Sequence, residues 1–220
     1  LDEMTEAMQL RSSVVRAAVA EALGLSQDPR AVPHLVEATR DSVATVRREA
    51  ARGLGRLVDP RAVEHLIVVL GDSDAAAAEA AVEALVAIGA PAVQPLCTVL
   101  EHTLSKLHRR NVILTLGGIG DPCAVIPLIN TLSSSYYVVR QAAITALSAY
   151  GDEVVDDLVR MVAVSEVPIG GLVRELREQT NKRLRLRAVR ALGEIKNAAA
   201  IEPLRQLMSA DDPDISTTTQ

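Results

Sequence analysis

Small and branched apolar residues return along this chain at a fixed interval. Arg16, Arg47, Ala78, Arg109 and Arg140 stand 31 residues apart, and Leu23, Leu54, Leu85, Leu116 and Leu147 follow them by seven. Just before each leucine is a small residue: Ala22, Gly53, Ala84, Thr115 and Ala146. Positions three and four after the anchor are also small or branched, as in Ala143 with Ile144. Spacings of three, four and seven share one face of a helix. The small column lets a neighbouring helix approach to, or inside, the usual separation of about 8–10 Å. A sixth copy fits with Arg185, Ala191 and Leu192, but 45 residues after Arg140, so it carries 14 extra residues near 164–182.

Each copy then breaks and restarts, most clearly at Asp59-Pro60-Arg61-Ala62-Val63 and Asp121-Pro122-Cys123-Ala124-Val125. Proline is tolerated in a first helical turn, because the N–H it lacks has no intrahelical partner there. A second apolar stripe follows, such as Leu66, Ile67, Val69 and Leu70, and turn formers such as Gly71-Asp72-Ser73-Asp74 close the copy. Two helices per 31 residues predict an all-α fold. It is a right-handed α–α superhelix of about six helix pairs plus a terminal helix near 201–208. The expectation is one solenoid over 1–212 and a polar, frayed tail over 213–220. The chain opens on Leu1 rather than Met, which reads as an excised or processed piece of a longer protein.

The segments Val46-Arg47-Arg48-Glu49-Ala50-Ala51-Arg52-Gly53-Leu54-Gly55 and Asp59-Pro60-Arg61-Ala62-Val63 resemble bacterial HEAT repeats, in particular the short HEAT-like repeats of phycobilisome lyases. The resemblance covers nearly the whole chain. It implies an α-solenoid whose second helices line the inner side. It says little of function, since such repeats serve scaffolds, adaptors and enzyme subunits alike. A subunit of a bilin-attaching lyase is one alternative that it implies.

Composition narrows the chemistry. Apolar residues make up 49% of the chain and charged residues 23%, with a net charge of −5, the balance of a folded, soluble protein. Trp and Phe are absent and there are three tyrosines, so Ala, Val and Leu must build the core. The most apolar stretch, 84–100, is interrupted by Pro91, Gln94 and Pro95, which argues against membrane insertion. Acidic residues occupy the place of a signal peptide's basic region. Cys97 and Cys123 lie in apolar contexts without a CxxC, which points to a reduced, cytoplasmic setting. No nucleophile, HExxH or P-loop pattern occurs, so an enzyme is not expected and no cofactor is implied. Gly117-Gly118-Ile119-Gly120 reads as a helix end rather than a phosphate loop. HEAT-like iron hydroxylases use His-Glu dipeptides, whereas this chain has Glu64-His65 and Glu101-His102, so no metal site is assigned.

The charged columns have a structural and a functional reading. An arginine at the start of each second helix and an aspartate twelve residues on form a ladder: Arg47 with Asp59, Arg109 with Asp121, Arg140 with Asp152. Pairing and capping along the stack is the expectation, and the joint loss at Ala78 and Ala90 fits it. Positions two, five and nine after the anchor face away from the leucines and sketch a groove. The expected function is a non-catalytic scaffold that binds another protein or a peptide there. Its named residues are Arg48, Arg52, Glu83, Asn111, Leu114, Gln141 and Thr145, with Arg187 and Arg190 at a basic end. The same alanines and threonines also read as helix fillers. Residues 174–190 hold seven basic and two acidic side chains, a balance of +5 that leaves −10 for the rest. This segment reads as a solvated helix face or as a dock for an acidic partner. Nucleic acid is disfavoured by the acidic whole and the lack of stacking aromatics.

Overall fold

The computed structural model describes residues 7–8, 10–132, 134–150 and 189–191, and no strand occurs among them. The chain forms two compact units, Leu1–Asp121 and Pro122–Gln220. In the first, α1 (Ser13–Leu25), α3 (Ala44–Leu57), α5 (Ala75–Ile88) and α7 (Lys106–Ile119) are the second helices of successive copies. The first helices are α2 (Val32–Ala38), α4 (Val63–Val69) and α6 (Val93–His102). Each second helix packs on the next, α1 on α3, α3 on α5 and α5 on α7, and each first helix packs on the second helix of its own copy. The result is a two-layered, all-α repeat fold. The second unit repeats the pair with α8 (Val125–Thr131) and α9 (Tyr137–Ala149).

The columns explain this packing. Leu23, Leu54, Leu85, Leu116 and Leu147 are all fully buried. The stripes of the first helices, such as Leu66 and Ile67 of α4 or Leu96 and Cys97 of α6, are also buried. The small column sets how near the second helices come. A Cβ added at Gly24 would lie 2.3 Å from Gly53 Cα, and one at Gly55 would lie 2.8 Å from Ala84 Cα. Backbones this close have no room for any larger side chain on both partners. At the next step Val86 fills the larger role and Gly118 yields, since a Cβ there would meet Val86 Cγ2 at 2.8 Å.

The restarts are built as the prolines indicate, with one refinement. Pro29–Ala31, Pro60–Ala62, Ala90–Ala92 and Pro122–Ala124 form single 3-10 turns, and each α-helix begins after its turn. The chain enters those turns through a second periodic feature. Gln27, Val58, Gly89 and Gly120, again 31 residues apart, all have positive φ between 51° and 74°. In the first unit each second helix is thus followed within two residues by a positive-φ residue, which frees the chain to turn back. Val58 and Gly120 are left-handed helix caps, whereas Gly89 pairs its φ of 74° with a ψ of −135°. Gly120 closes α7 with its N–H bonded to the Leu116 carbonyl, while Gly118 lies inside the helix and serves packing.

The extra residues near 164–182, the tail over 213–220 and the sixth copy apart from Val189–Ala191 lie outside the described residues. Among those described, no single helix is long and apolar enough to cross a membrane.

Candidate partner-binding face of the second helices

The arginine column is structural, but its partners differ from those the sequence suggested. Arg47 sits in the first turn of α3 and donates from Nε and Nη2 to the Asp72 carboxylate at 2.5 and 2.8 Å. Its Nη1 donates to the Asp41 carbonyl. Arg16 grips Asp41 the same way, at 2.7 and 2.9 Å. The partner is therefore the residue 25 positions on, in the turn that leads into the next second helix. The expected pairs Arg47–Asp59 and Arg109–Asp121 do not form. Helix rise gives the reason: twelve residues at about 1.5 Å each put the aspartate some 18 Å away, at the opposite end of the helix. Asp59 instead accepts the Arg61 N–H at 2.9 Å, capping the 3-10 turn, and pairs with the Arg61 guanidinium. Ala78 and Ala90 therefore lack two separate interactions, since position 103, which would face Ala78 in the ladder, holds Thr103.

Two aspartates of the ladder are doubly engaged. Asp41 accepts the Val43 N–H and Asp72 accepts the Asp74 N–H, both at 2.8 Å, which shapes each turn. Hydrogen bonding from Arg16 and Arg47 holds these carboxyls below the ordinary carboxylate range and outweighs their partial burial. Arg61 lowers Asp59 likewise. Arg109 donates to the Thr103 carbonyl, and its buried Nε has no hydrogen-bond partner among the described residues. Arg140 donates to the carbonyls of Ser134 and Ser135 and lies 5.8 Å from the Tyr137 ring centre. Asp121 precedes the turn Pro122–Ala124 and is half-buried, while Asp152 lies outside the described residues.

The face of α3, α5 and α7 turned away from the first helices carries the remaining named side chains of the first unit. Glu49 Oε1 accepts from Arg48 Nε at 2.9 Å and from Arg52 Nη1 at 3.3 Å. Arg52, Arg56, Glu83 and Ala87 are exposed, and Leu114 is half-buried. Between α3 and α5, Arg52, Arg56, Glu83 and Ala87 surround an open cavity of about 260 Å³, floored by Gly55, Ala80 and Ala84. Asn111 belongs to the scaffold rather than to this face, because its Nδ2 donates to the Leu70 carbonyl at 2.9 Å. His108, which the sequence did not single out for structure, does a similar job with Nε2 2.9 Å from the Ile67 carbonyl. Its Nδ1 lies 3.3 Å from Thr103 Oγ1. Together they tie α7 to the end of α4. Their signal in the sequence was faint: polar residues three positions apart, His108 in a column of valine and alanine and Asn111 in a column that holds alanine in three copies and Glu49 in another.

In the second unit Gln141 is half-buried and accepts from the Tyr137 hydroxyl at 3.4 Å. Thr145 is exposed, with its hydroxyl on the Gln141 carbonyl. Tyr136 and Tyr137 are both exposed, so neither is spent on the core. Arg190 is exposed and helical, and Arg187 lies outside the described residues. Among the described residues no group of three His, Cys, Asp or Glu could hold a metal ion.

A family model of HEAT repeats matches residues 1–48, 38–103, 93–169 and 169–219. No curated protein matches the chain. Among solved structures, the complex of CpcE and CpcF of phycocyanin lyase from Nostoc sp. PCC7120 is similar at a TM-score of 0.50 and 22% identity, over 99% of this chain and 92% of that one. Human deoxyhypusine hydroxylase in complex with glycerol aligns at a TM-score of 0.40 and 22% identity, over 98% of this chain and 80% of that one. The likeness to the lyase complex is one of fold.

Proposed function

We propose that this chain, which belongs to the HEAT-repeat family, is a non-catalytic interaction scaffold that binds a segment of another protein along the exposed face of its second helices. The observation that carries the reading is the α3–α5 surface. Charged side chains of both signs stand exposed around an alanine and glycine floor. At that floor the two helices touch backbone to backbone, at Gly55 and Ala84. Close-packed helices hold the surrounding groups in fixed relative positions, which lowers the ordering cost of binding. The ladder pairs Arg16–Asp41 and Arg47–Asp72 stiffen the same stack from one edge. With no Trp or Phe to supply aromatic hot spots, affinity in this unit rests on charge and shape. Arg48, Arg52, Glu83 and Leu114 are the contacts proposed here, Gln141 and Thr145 those in the second unit, and Arg187 with Arg190 a basic end.

The test is site-directed photo-crosslinking of peptides selected from a displayed random library against the whole chain. A photoreactive residue at position 52, 83 or 114 should capture them, and one at Glu64, Val68 or Thr98, exposed on the first helices, should not. Capture confined to the first-helix positions would refute the proposed face.

A further inference from the structure

The cavity between α3 and α5 has a chemistry of its own. Its floor, Gly55, Ala80 and Ala84, offers only backbone and methyl groups. One wall is Arg52 and Arg56, which lie four residues apart on α3 and so point the same way. The other wall is Glu83 on α5. On α3 one carboxylate, Glu49, is already shared by Arg48 and Arg52. Arg56 is exposed and has neither a hydrogen-bond nor an ion-pair partner among the described residues. That wall therefore carries more positive charge than it neutralises. A volume of about 260 Å³, at roughly 30 Å³ per displaced water, admits one or two side chains.

We propose that this cavity is a specificity subsite for an acidic side chain of a partner peptide, an Asp or Glu set among small residues. The proposal rests on the second-helix face reading and deepens it. Guanidinium forks recognise a carboxylate through parallel charge-assisted hydrogen bonds, and partial exclusion of water by the flanking alanines strengthens them. The small floor admits only small neighbours on the peptide. Glu83 repels a carboxylate from the α5 wall and accepts a backbone N–H or an ammonium group instead. The acid therefore lies over α3 and the donor over α5, which fixes the direction of the segment. The same acidic wall, together with a floor that has no aromatic ring for base stacking, disfavours a nucleic-acid occupant.

The experiment uses the full chain and a displayed library of random 12-residue peptides, panned in parallel on the natural chain and on Ala87→Trp. Position 87 is exposed, so the indole fills the cavity from its rim without entering the core. Clones lost on Ala87→Trp should be enriched in Asp and Glu. As labelled peptides they should bind Arg56→Glu and Arg52→Glu at least ten-fold more weakly by fluorescence anisotropy, and Glu83→Gln no more weakly. Unchanged thermal midpoints confirm that the variants fold. Clones indifferent to Ala87→Trp but still cross-linked at position 114, outside the cavity, would overturn the subsite and leave the face standing. Capture only on the first helices would overturn both. Cavity-dependent clones without acidic enrichment, displacement of the peptides by single-stranded oligothymidine at the cavity, or no enriched clone at all would each overturn the subsite.

Discussion

Replacing Asp72 by asparagine tests the ladder at its best-defined step. The carboxylate side chain is 8% exposed and faces an Arg47 side chain that is 16% exposed. Three N–H groups converge on it: Nε and Nη2 of Arg47 and the backbone N–H of Asp74. An amide oxygen in the place of Oδ1 can still accept the Asp74 N–H and Arg47 Nη2, but the amide NH2 then faces Arg47 Nε donor to donor, and the negative charge that paired the guanidinium is gone. Exposed ion pairs contribute about 0–1 kcal/mol, whereas removing one member of a buried pair costs about 3–5 kcal/mol. At this burial Asp72→Asn should cost about 2–4 kcal/mol, a large part of a typical folding free energy of about 5–15 kcal/mol. Urea unfolding at pH 7, followed by far-UV circular dichroism, reads the loss as a lower midpoint with an unchanged slope. Arg47→Met in the Asp72→Asn background should cost far less than Arg47→Met alone, since the charge is then already unpaired. The pH dependence has a definite sign. The folded-state carboxyl titrates below its unfolded value of about 3.9. Its contribution is therefore present above that value and lost as pH falls through the lowered one. The gap between natural and variant chains should hold steady from neutral pH to about pH 5 and close under stronger acid. A loss below about 0.5 kcal/mol, additive behaviour of the two substitutions, or a gap that ignores acid would refute the reasoning.

Other consequences are as direct. Both members of a rung are absent at positions 78 and 103, so Ala78→Arg with Thr103→Asp should be more stable than the sum of the single changes by about 1–3 kcal/mol. Ala78→Arg alone should destabilise, because Ala78 is buried and the charge would lack its partner; additive thermal midpoints would count against the register. Val58 is a branched residue at φ 51° and 48% exposed. Val58→Asn should therefore raise the unfolding free energy by about 0.5–1 kcal/mol, the left-handed region being less costly to asparagine. A lower melting temperature would be the wrong sign. Arg61→Ala is the control for exposed pairs: with the Arg61 side chain 61% exposed, the urea midpoint should not move, and a fall like that of Asp72→Asn would mean that burial is not what matters.

Which residues form the core could be read from the chain, because burial on a helix face follows from spacing alone. The leucine column, the small column and the proline restarts all appear where the periodicity places them. Which charges meet could not be read. The arginine and the aspartate twelve positions on belong to the same copy, and their regular recurrence suggested a pair. A helix keeps its two ends apart, and only stacking brings the turn before one second helix beside the first turn of the previous one. Asn111 and His108 were misjudged or passed over for the same reason: each bonds a carbonyl about forty residues back, on the end of α4.

By itself, then, the sequence determined the all-α repeat, its period, its buried stripes and the sites of its breaks, since these are properties of consecutive residues in a helix. Only the tertiary structure decided that arginines reach 25 residues forward, that glycines at 24 and 55 bring backbones into contact, and that Arg52, Arg56 and Glu83 surround one cavity. Those outcomes depend on distances between copies, and no local spacing encodes how far one helix stands from the next.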